Sequence, residues 1–296
     1  MGGCPLGGYG WGNTEHESLI STVREAVNSG INFFDTADVY GLGESERNLA
    51  EALGKDINNV VIMTKFGVRN ENGKSFYDNS PEYIRKAVEG SLKRLNRDYI
   101  DLYQVHYRDG VTPLVDVAET LEDLKKQGKI RYYGLSNIHQ NDVAEISTFK
   151  ENPFISFQDE YSLACRKNEK DMFTFRDEFK MTPFTWGSLG QGILTGKYDK
   201  NRAFESNDRR SREIYVNFHG EKLLKNLEIV EVMKEISAEI GKSVSSIAIR
   251  WILDYLKGSI CLVGAKKPSQ IQSNAEALGW NLTEEQINRL EKISRG

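Results

Sequence analysis

Cysteine is scarce in this chain, and the three present (Cys4, Cys165, Cys261) are widely spaced and odd in number. No CxxC pair occurs, and the four histidines have no metal-ligand spacing. A disulfide framework and a structural zinc are therefore not expected. Long apolar runs are missing too. Stretches such as Val60-Val61-Ile62-Met63 fall far short of the ~18–20 residues that carry a helix across a bilayer, so no membrane span is expected. An excess of one charge is also lacking: 39 Lys plus Arg stand against 43 Asp plus Glu, a formal charge of −4, with no basic stripe. That balance argues against a nucleic-acid partner. The start has no secretory h-region, and the expected compartment is the reducing cytoplasm. What is present is ample core-forming material. Of 296 residues 39% are hydrophobic, and 13 Phe, 13 Tyr and 4 Trp are too many for a solvated coil.

A short apolar run followed by an amphipathic stretch recurs along the chain. The runs are Ile31-Phe34, Val60-Thr64, Ile100-Val105, Tyr132-Leu135, Phe154-Phe157, Thr182-Trp186 and Ser259-Val263, with a first one around Gly3-Leu6. Most are continuously apolar, as parallel strands buried on both faces require. Helical patterns separate them. Ser18–Ser29 sets Leu19, Val23 and Val27 on one stripe. Pro81 opens a helix behind Ser80, a good N-cap, and Gly128 suits the end of a helix over Val115–Gln127. Leu223–Ile240, Val244–Leu256 and a last helix opened by Thr283-Glu284-Glu285 follow.

Eight strands alternating with about eight helices, and no Pro/Gly/Ser-rich linker, predict a single-domain α/β protein, a (β/α)8 TIM barrel over residues 1–296. The rival, an open doubly wound sheet, lacks its glycine signature: Gly41-Leu42-Gly43 follows the second strand, with no third glycine to complete it. A large loop is expected around Asp199–Gly220.

In a barrel, reactive groups sit at the C-terminal ends of strands. Those ends carry Asp35 and Tyr40, Lys65, His106, Ser136-Asn137, Gln158 and Trp186. Any one of these alone is as readily a structural or solvated group. Together, Asp35, Tyr40, Lys65 and His106 converge on one mouth from three adjacent strands. A tyrosine of pKa about 10 is a weak acid at neutral pH, and a neighbouring ammonium favours its phenolate. Asp35 can hold Lys65 paired and oriented, and His106 can hydrogen-bond a carbonyl oxygen. Tyr40 then donates a proton as a hydride reaches the carbonyl carbon.

Three long motifs in order resemble the aldo-keto reductase superfamily over essentially the whole chain. They are Gly30-Ile31-Asn32-Phe33-Phe34-Asp35-Thr36-Ala37-Asp38-Val39-Tyr40-Gly41; Arg94-Leu95 with Asp98-Tyr99-Ile100-Asp101-Leu102-Tyr103-Gln104-Val105-His106; and Gly128-Lys129-Ile130-Arg131-Tyr132-Tyr133-Gly134-Leu135-Ser136-Asn137. The resemblance implies a catalytic tetrad of Asp35, Tyr40, Lys65 and His106 with Tyr40 as proton donor. It also implies NADP(H), with NAD(H) as the alternative, lying extended across the barrel mouth without a Rossmann domain. Ser136, Asn137 and Gln158 match carboxamide ligands of the nicotinamide, and Trp186 the aromatic that stacks on its ring. Gly3 and Asp35 belong to the same set of contacts. Gly187 and Ser188-Leu189-Gly190-Gln191-Gly192, continuing to Lys197, resemble the loop over the pyrophosphate. Gly264-Ala265-Lys266-Lys267, with Gln270 and Asn274, resembles the adenosine site, where the two lysines suit a 2′-phosphate.

The resemblance further implies a β-hairpin before strand one, which is expected to be missing or trimmed here, and a more open pocket for want of a long C-terminal tail. Tyr9, Trp11, Phe66, Tyr77, Tyr107 and Arg108 are candidate pocket residues. Asp208-Arg209-Arg210 and Phe218-His219-Gly220-Glu221 resemble a bacterial branch with sugar and cyclitol dehydrogenases. The expected activity is reduction of a small-molecule aldehyde or ketone. Oxidation of a sugar or cyclitol alcohol with NAD(P)+, and a slow-turnover regulatory subunit akin to potassium-channel β subunits, are the alternatives. A metal-dependent barrel hydrolase is weaker, since no second rim carboxylate accompanies Asp35 and His106. No oligomeric state is assigned.

Overall fold

The computed structural model describes residues 1–295; Gly296, the last residue of the expected domain, lies outside them. Nine strands follow in chain order: β1 (Phe33–Asp35), β2 (Val61–Phe66), β3 (Val68–Glu71), β4 (Lys74–Tyr77), β5 (Ile100–Val105), β6 (Ile130–Ser136), β7 (Ser156–Glu160), β8 (Thr182–Trp186) and β9 (Ile260–Cys261). Seven form one all-parallel sheet in the order β1-β2-β5-β6-β7-β8-β9, while β3 and β4 pair with each other as a separate antiparallel hairpin. The helices between them are α1 (His16–Asn28), α2 (Glu44–Leu53), α3 (Pro81–Leu95), α4 (Leu114–Lys126), α5 (Val143–Ile146), α6 (Glu169–Asp177), α7 (Gly220–Ile240), α8 (Val244–Tyr255), α9 (Pro268–Ala275) and α10 (Glu284–Arg295).

The sheet curls until its two edges meet through one residue. Gly2 bridges Asp35 on the β1 side and Gly264 beyond β9. Three backbone hydrogen bonds make the seam: Gly2 N to Val263 O at 3.0 Å, Gly3 N to Asp35 O at 2.6 Å, and Asp35 N to Met1 O at 2.9 Å. The fold is thus the expected (β/α)8 barrel, with its first strand reduced to a bridge. The expected strand Gly3–Leu6 is instead a 3-10 turn over Cys4–Gly7, because Pro5 has no N–H to give a ladder and Gly8 turns left-handed.

Strand pleat sorts the side chains into two sets. Odd-numbered positions of β2 face the barrel axis: Met63 packs with Leu102, Phe184 and Leu262 in a lower apolar layer, and Lys65 lies one pleat above, toward the C-terminal mouth. Even positions such as Ile62 point outward and join the main core between sheet and helices, which also takes Leu19 and Val23 of α1. The expected helices form within a few residues of their predicted limits. Ser80 caps α3, accepting from Tyr83 N at 3.3 Å. The hairpin β3–β4 and the helices α2, α5, α6 and α9 were not singled out by periodicity. The hairpin turns on Asn72-Gly73, both left-handed (φ 52° and 78°), a strong two-residue turn signal. The long segment between β8 and α7 is a loop carrying three short 3-10 turns, two of them in the expected stretch around Asp199–Gly220.

Candidate active site

The C-terminal ends of the strands surround a cavity of about 640 Å³. At one end, β1 delivers Asp35, and the turn after it delivers Tyr40. That turn exists because Gly7 and Gly41 let two backbones touch: a Cβ on Gly41 (φ 61°) would lie 2.3 Å from Gly7 O. Lys65, fully buried on β2, pairs with Asp35 Oδ1 and donates to Thr36 O at 2.9 Å. Its ammonium lies 5.2 Å from the centre of the Tyr40 ring. His106 follows β5, its ring edge-on to Tyr40 at 5.7 Å between centroids. The four expected catalytic residues therefore meet. Asp35, Tyr40 and His106 line the cavity, and Lys65 stands behind Asp35.

A buried polar network fixes the carboxylate from its other side. Gln158 Nε2 donates to Asp35 Oδ1 at 3.3 Å and to Gln104 Oε1 at 3.1 Å, and Gln104 passes a bond to Ser156 Oγ at 3.1 Å. These side chains come from inward positions of β5 and β7, so the barrel interior is apolar below and hydrogen-bonded above.

Withdrawal from water decides the protonation states. Burial pushes the Tyr40 phenol well above its ordinary value, and the Asp35 carboxylate adds to the rise. The expected acidification of Tyr40 is outweighed: burial and the Asp35 carboxylate dominate, while the Lys65 ammonium is shared with Asp35 and the Thr36 carbonyl. Tyr40 is held as the neutral phenol. Burial also pushes His106 well below its ordinary range, helped by Lys65, so its imidazole is neutral. Its Nδ1 is buried with no protein partner. Asp38, two residues before Tyr40, is pushed up to about 8 by burial and then by Glu46.

The cavity then runs past Ser136, Asn137, Gln158 and Trp186. Asn137 is left-handed (φ 54°); its Nδ2 donates to His106 O at 2.9 Å, and its Oδ1 accepts from Trp186 Nε1 at 3.2 Å. The far part is walled by Gly187, Ser188, Leu189, Gln191, Gly192 and Lys197, and by Gly264, Ala265, Lys266, Gln270 and Asn274. Gly3 and Gly190 do not line it. A Cβ on Gly3 would meet Asp35 O at 2.5 Å, so Gly3 belongs to the barrel seam, and Gly190 is a buried left-handed turn residue against Ala164 and Ile193. Lys267 is exposed and outside the lining.

Of the candidate pocket residues, Trp11 and Tyr107 line the cavity. Tyr77 stacks on Tyr107 at 5.0 Å between centroids and brings the hairpin to the rim. The other three stand elsewhere. Phe66 is fully buried against Tyr103; Arg108 is tied to Thr112 O and Glu145; and Tyr9 is 64% exposed beneath Arg209.

Sequence reasoning also missed part of the wall. Cys4 and Pro5 reach it from the turn after Gly2, Ser243 and Ser245 from the start of α8, and Arg209 and Arg210 from the long loop. Arg210 is clamped to Asp208 and donates to Tyr198 Oη at 2.7 Å. Lys266 donates to Trp11 O. The pair Arg209-Arg210 inside an otherwise irregular segment was the available signal. The cavity thus couples one acid–base end to a cationic far end, a shape and polarity suited to a long anionic cofactor. Its glycines have the same logic: a Cβ on Gly187 would press on Gln191 and Glu160 side chains.

The Aldo/keto reductase family model matches residues 1–295. The aldo-keto reductase YhdN of Bacillus subtilis is 36% identical over 290 residues, covering 96% of this chain and 86% of that protein. The NADH-specific methylglyoxal reductase of Escherichia coli is 31% identical, covering 94% and 88%. Among solved structures, the glycerol dehydrogenase of Gluconobacter oxydans superposes with a TM-score of 0.89 at 33% identity, covering 99% of this chain and 90% of that one.

Proposed function

This chain belongs to the aldo/keto reductase family and is an oxidoreductase of it; on that premise we propose that it reduces a small aldehyde or ketone to an alcohol with NADPH. The observation that carries the reading is the meeting of Tyr40, His106 and the Lys65–Asp35 pair at one end of a long cavity with a cationic far end.

Ser136, Asn137, Gln158 and Trp186 would hold the nicotinamide end, and Ser188, Gln191 and Lys266 the phosphates, with Arg209 and Arg210 beside them. Bound there, NADPH supplies the hydride. The chain's residues do the rest. The neutral imidazole of His106 hydrogen-bonds the substrate carbonyl oxygen and aims it at Tyr40. The Tyr40 phenol, kept protonated by burial, gives its proton to that oxygen as negative charge develops there. The ammonium of Lys65, fixed by Asp35, lies near enough to stabilise the phenolate left behind. Tyr107 and Trp11 offer apolar walls to the substrate.

Lys266, Arg209 and Arg210 support NADP(H) over NAD(H), since a 2′-phosphate adds charge that those cations meet. The same groups run backwards for alcohol oxidation, and the likeness to a glycerol dehydrogenase supports a polyol as the second reading. The test is turnover with NADPH across aldehydes, ketones and sugars, followed by cofactor absorbance, with NADP+ and polyols assayed alongside. Tyr40→Phe is expected to lower kcat about 10²–10⁴-fold, the usual weight of a positioned general acid, while NADPH binding holds. Full rate in that variant overturns the mechanism.

A further inference from the structure

Outside the cavity, three residues from three different segments bring metal-ligating atoms together. His139 stands in the loop after β6, Asp159 on the outward face of β7, and Asp171 in the first turn of α6. His139 Nδ1 lies 3.2 Å from Asp159 Oδ2 and 3.0 Å from Asp171 Oδ2, and the three donor atoms all fall within 4.8 Å of one another. A tetrahedral cation with bonds of about 2.0–2.1 Å sets neighbouring ligand atoms roughly 3.3 Å apart. The two separations to the histidine are those of a first coordination shell, and the two carboxylate oxygens lie within reach of one cation.

The carboxylates are already aimed. Asp159 Oδ1 accepts from Glu160 N at 2.7 Å and Asn168 Nδ2 at 2.9 Å, and Asp171 Oδ1 accepts from Gln140 Nε2 at 2.7 Å. One oxygen of each is thereby oriented by an outer partner, and the other faces the histidine, as outer-shell bonds do around metals. Asp159 is 1% exposed, and its Oδ2 has no hydrogen-bond partner. The His139 ring is half-exposed, which leaves an entry path from solvent.

We propose that His139, Asp159 and Asp171 bind a divalent transition-metal cation of the zinc type, at a site separate from the catalytic cavity. One imidazole nitrogen with two carboxylates suits zinc, cobalt or nickel better than magnesium or calcium, which prefer all-oxygen shells. Solvent completes the coordination on the side of His139. The site ties the β6 loop to β7 and α6, so the cation acts on stability and not on the chemical step. Asn137 and Gln158, close along the chain, face the cavity instead.

The experiment uses the full chain, stripped with chelator and titrated with zinc chloride by calorimetry, with the thermal midpoint recorded at each ratio. One equivalent is expected to bind, to raise the midpoint, and to resist millimolar magnesium. Asp171→Asn and His139→Ala should each weaken zinc binding at least tenfold. Asp171→Asn keeps the size and shape of the side chain, so its metal-free midpoint, read beside the parent's, separates lost ligation from lost folding. No saturable uptake, a proton only between the three groups, or uptake unchanged in both variants overturns the proposal.

Discussion

Protonation at single residues sets the pH behaviour of this molecule. His106 has a folded-state pKa well below its unfolded value of about 6.5, so below that pH the unfolded chain takes up a proton that the native state refuses. Stability is therefore lost as pH falls from 6.5, by up to about 1.4 kcal/mol per pH unit from this group. Urea midpoints at pH 7 and pH 5 should draw apart less in His106→Asn than in the parent. Asp38 runs the other way. Its carboxyl is pushed up to about 8, so the native state keeps a proton that the unfolded chain gives up above about 4. Stability falls as pH climbs through that window, and Asp38→Asn should gain on the parent between pH 4 and 8 in the same assay. Of the four candidate catalytic residues, Asp35, Lys65 and His106 were legible because each directly follows a short apolar run, whereas Tyr40, five residues beyond Asp35, was picked out by the resemblance of its motif. The state of Tyr40 was not legible, because it is set by burial and by the nearness of Asp35, which only the folded chain supplies. Arg209, Cys4 and Ser243 escaped for the same reason: each meets the cavity from a segment remote in sequence.

At the scale of elements, caps and turns carry separable effects. Ser80→Ala removes the acceptor for Tyr83 N and should cost about 1 kcal/mol in chemical denaturation, with kcat unchanged. The β3–β4 hairpin lies off the barrel ring and touches the site through Tyr77 on Tyr107. Tyr77→Ala should raise KM for bulky carbonyls several-fold and leave the rate on the smallest aldehyde as it was. Parallel strands were readable from their continuous apolar runs, which few other elements produce. The hairpin was not, since its residues are largely exposed and alternate too weakly, although Asn72-Gly73 marked its turn. The first strand misled: Pro5 and four flanking glycines resemble a short run yet cannot sustain a ladder.

For the whole molecule, closure of the ring is the sensitive point. Gly3→Ala places a Cβ against Asp35 O and should cost on the order of 1–3 kcal/mol, as overpacking does, with a lower urea midpoint and an unchanged far-ultraviolet spectrum in buffer. Alternation of elements made the barrel readable, whereas the thinness of its first stave was not, being a matter of hydrogen bonds between ends of the chain.

The joint has a further effect. Where β5 and β6 are zipped along five matched pairs, the ring's two edges are clasped through the short segment Met1–Gly3. Warming should spring that clasp before the rest of the hoop gives way. Because Asp35 forms one jaw of it, the enzyme should fall silent while its helices are still intact.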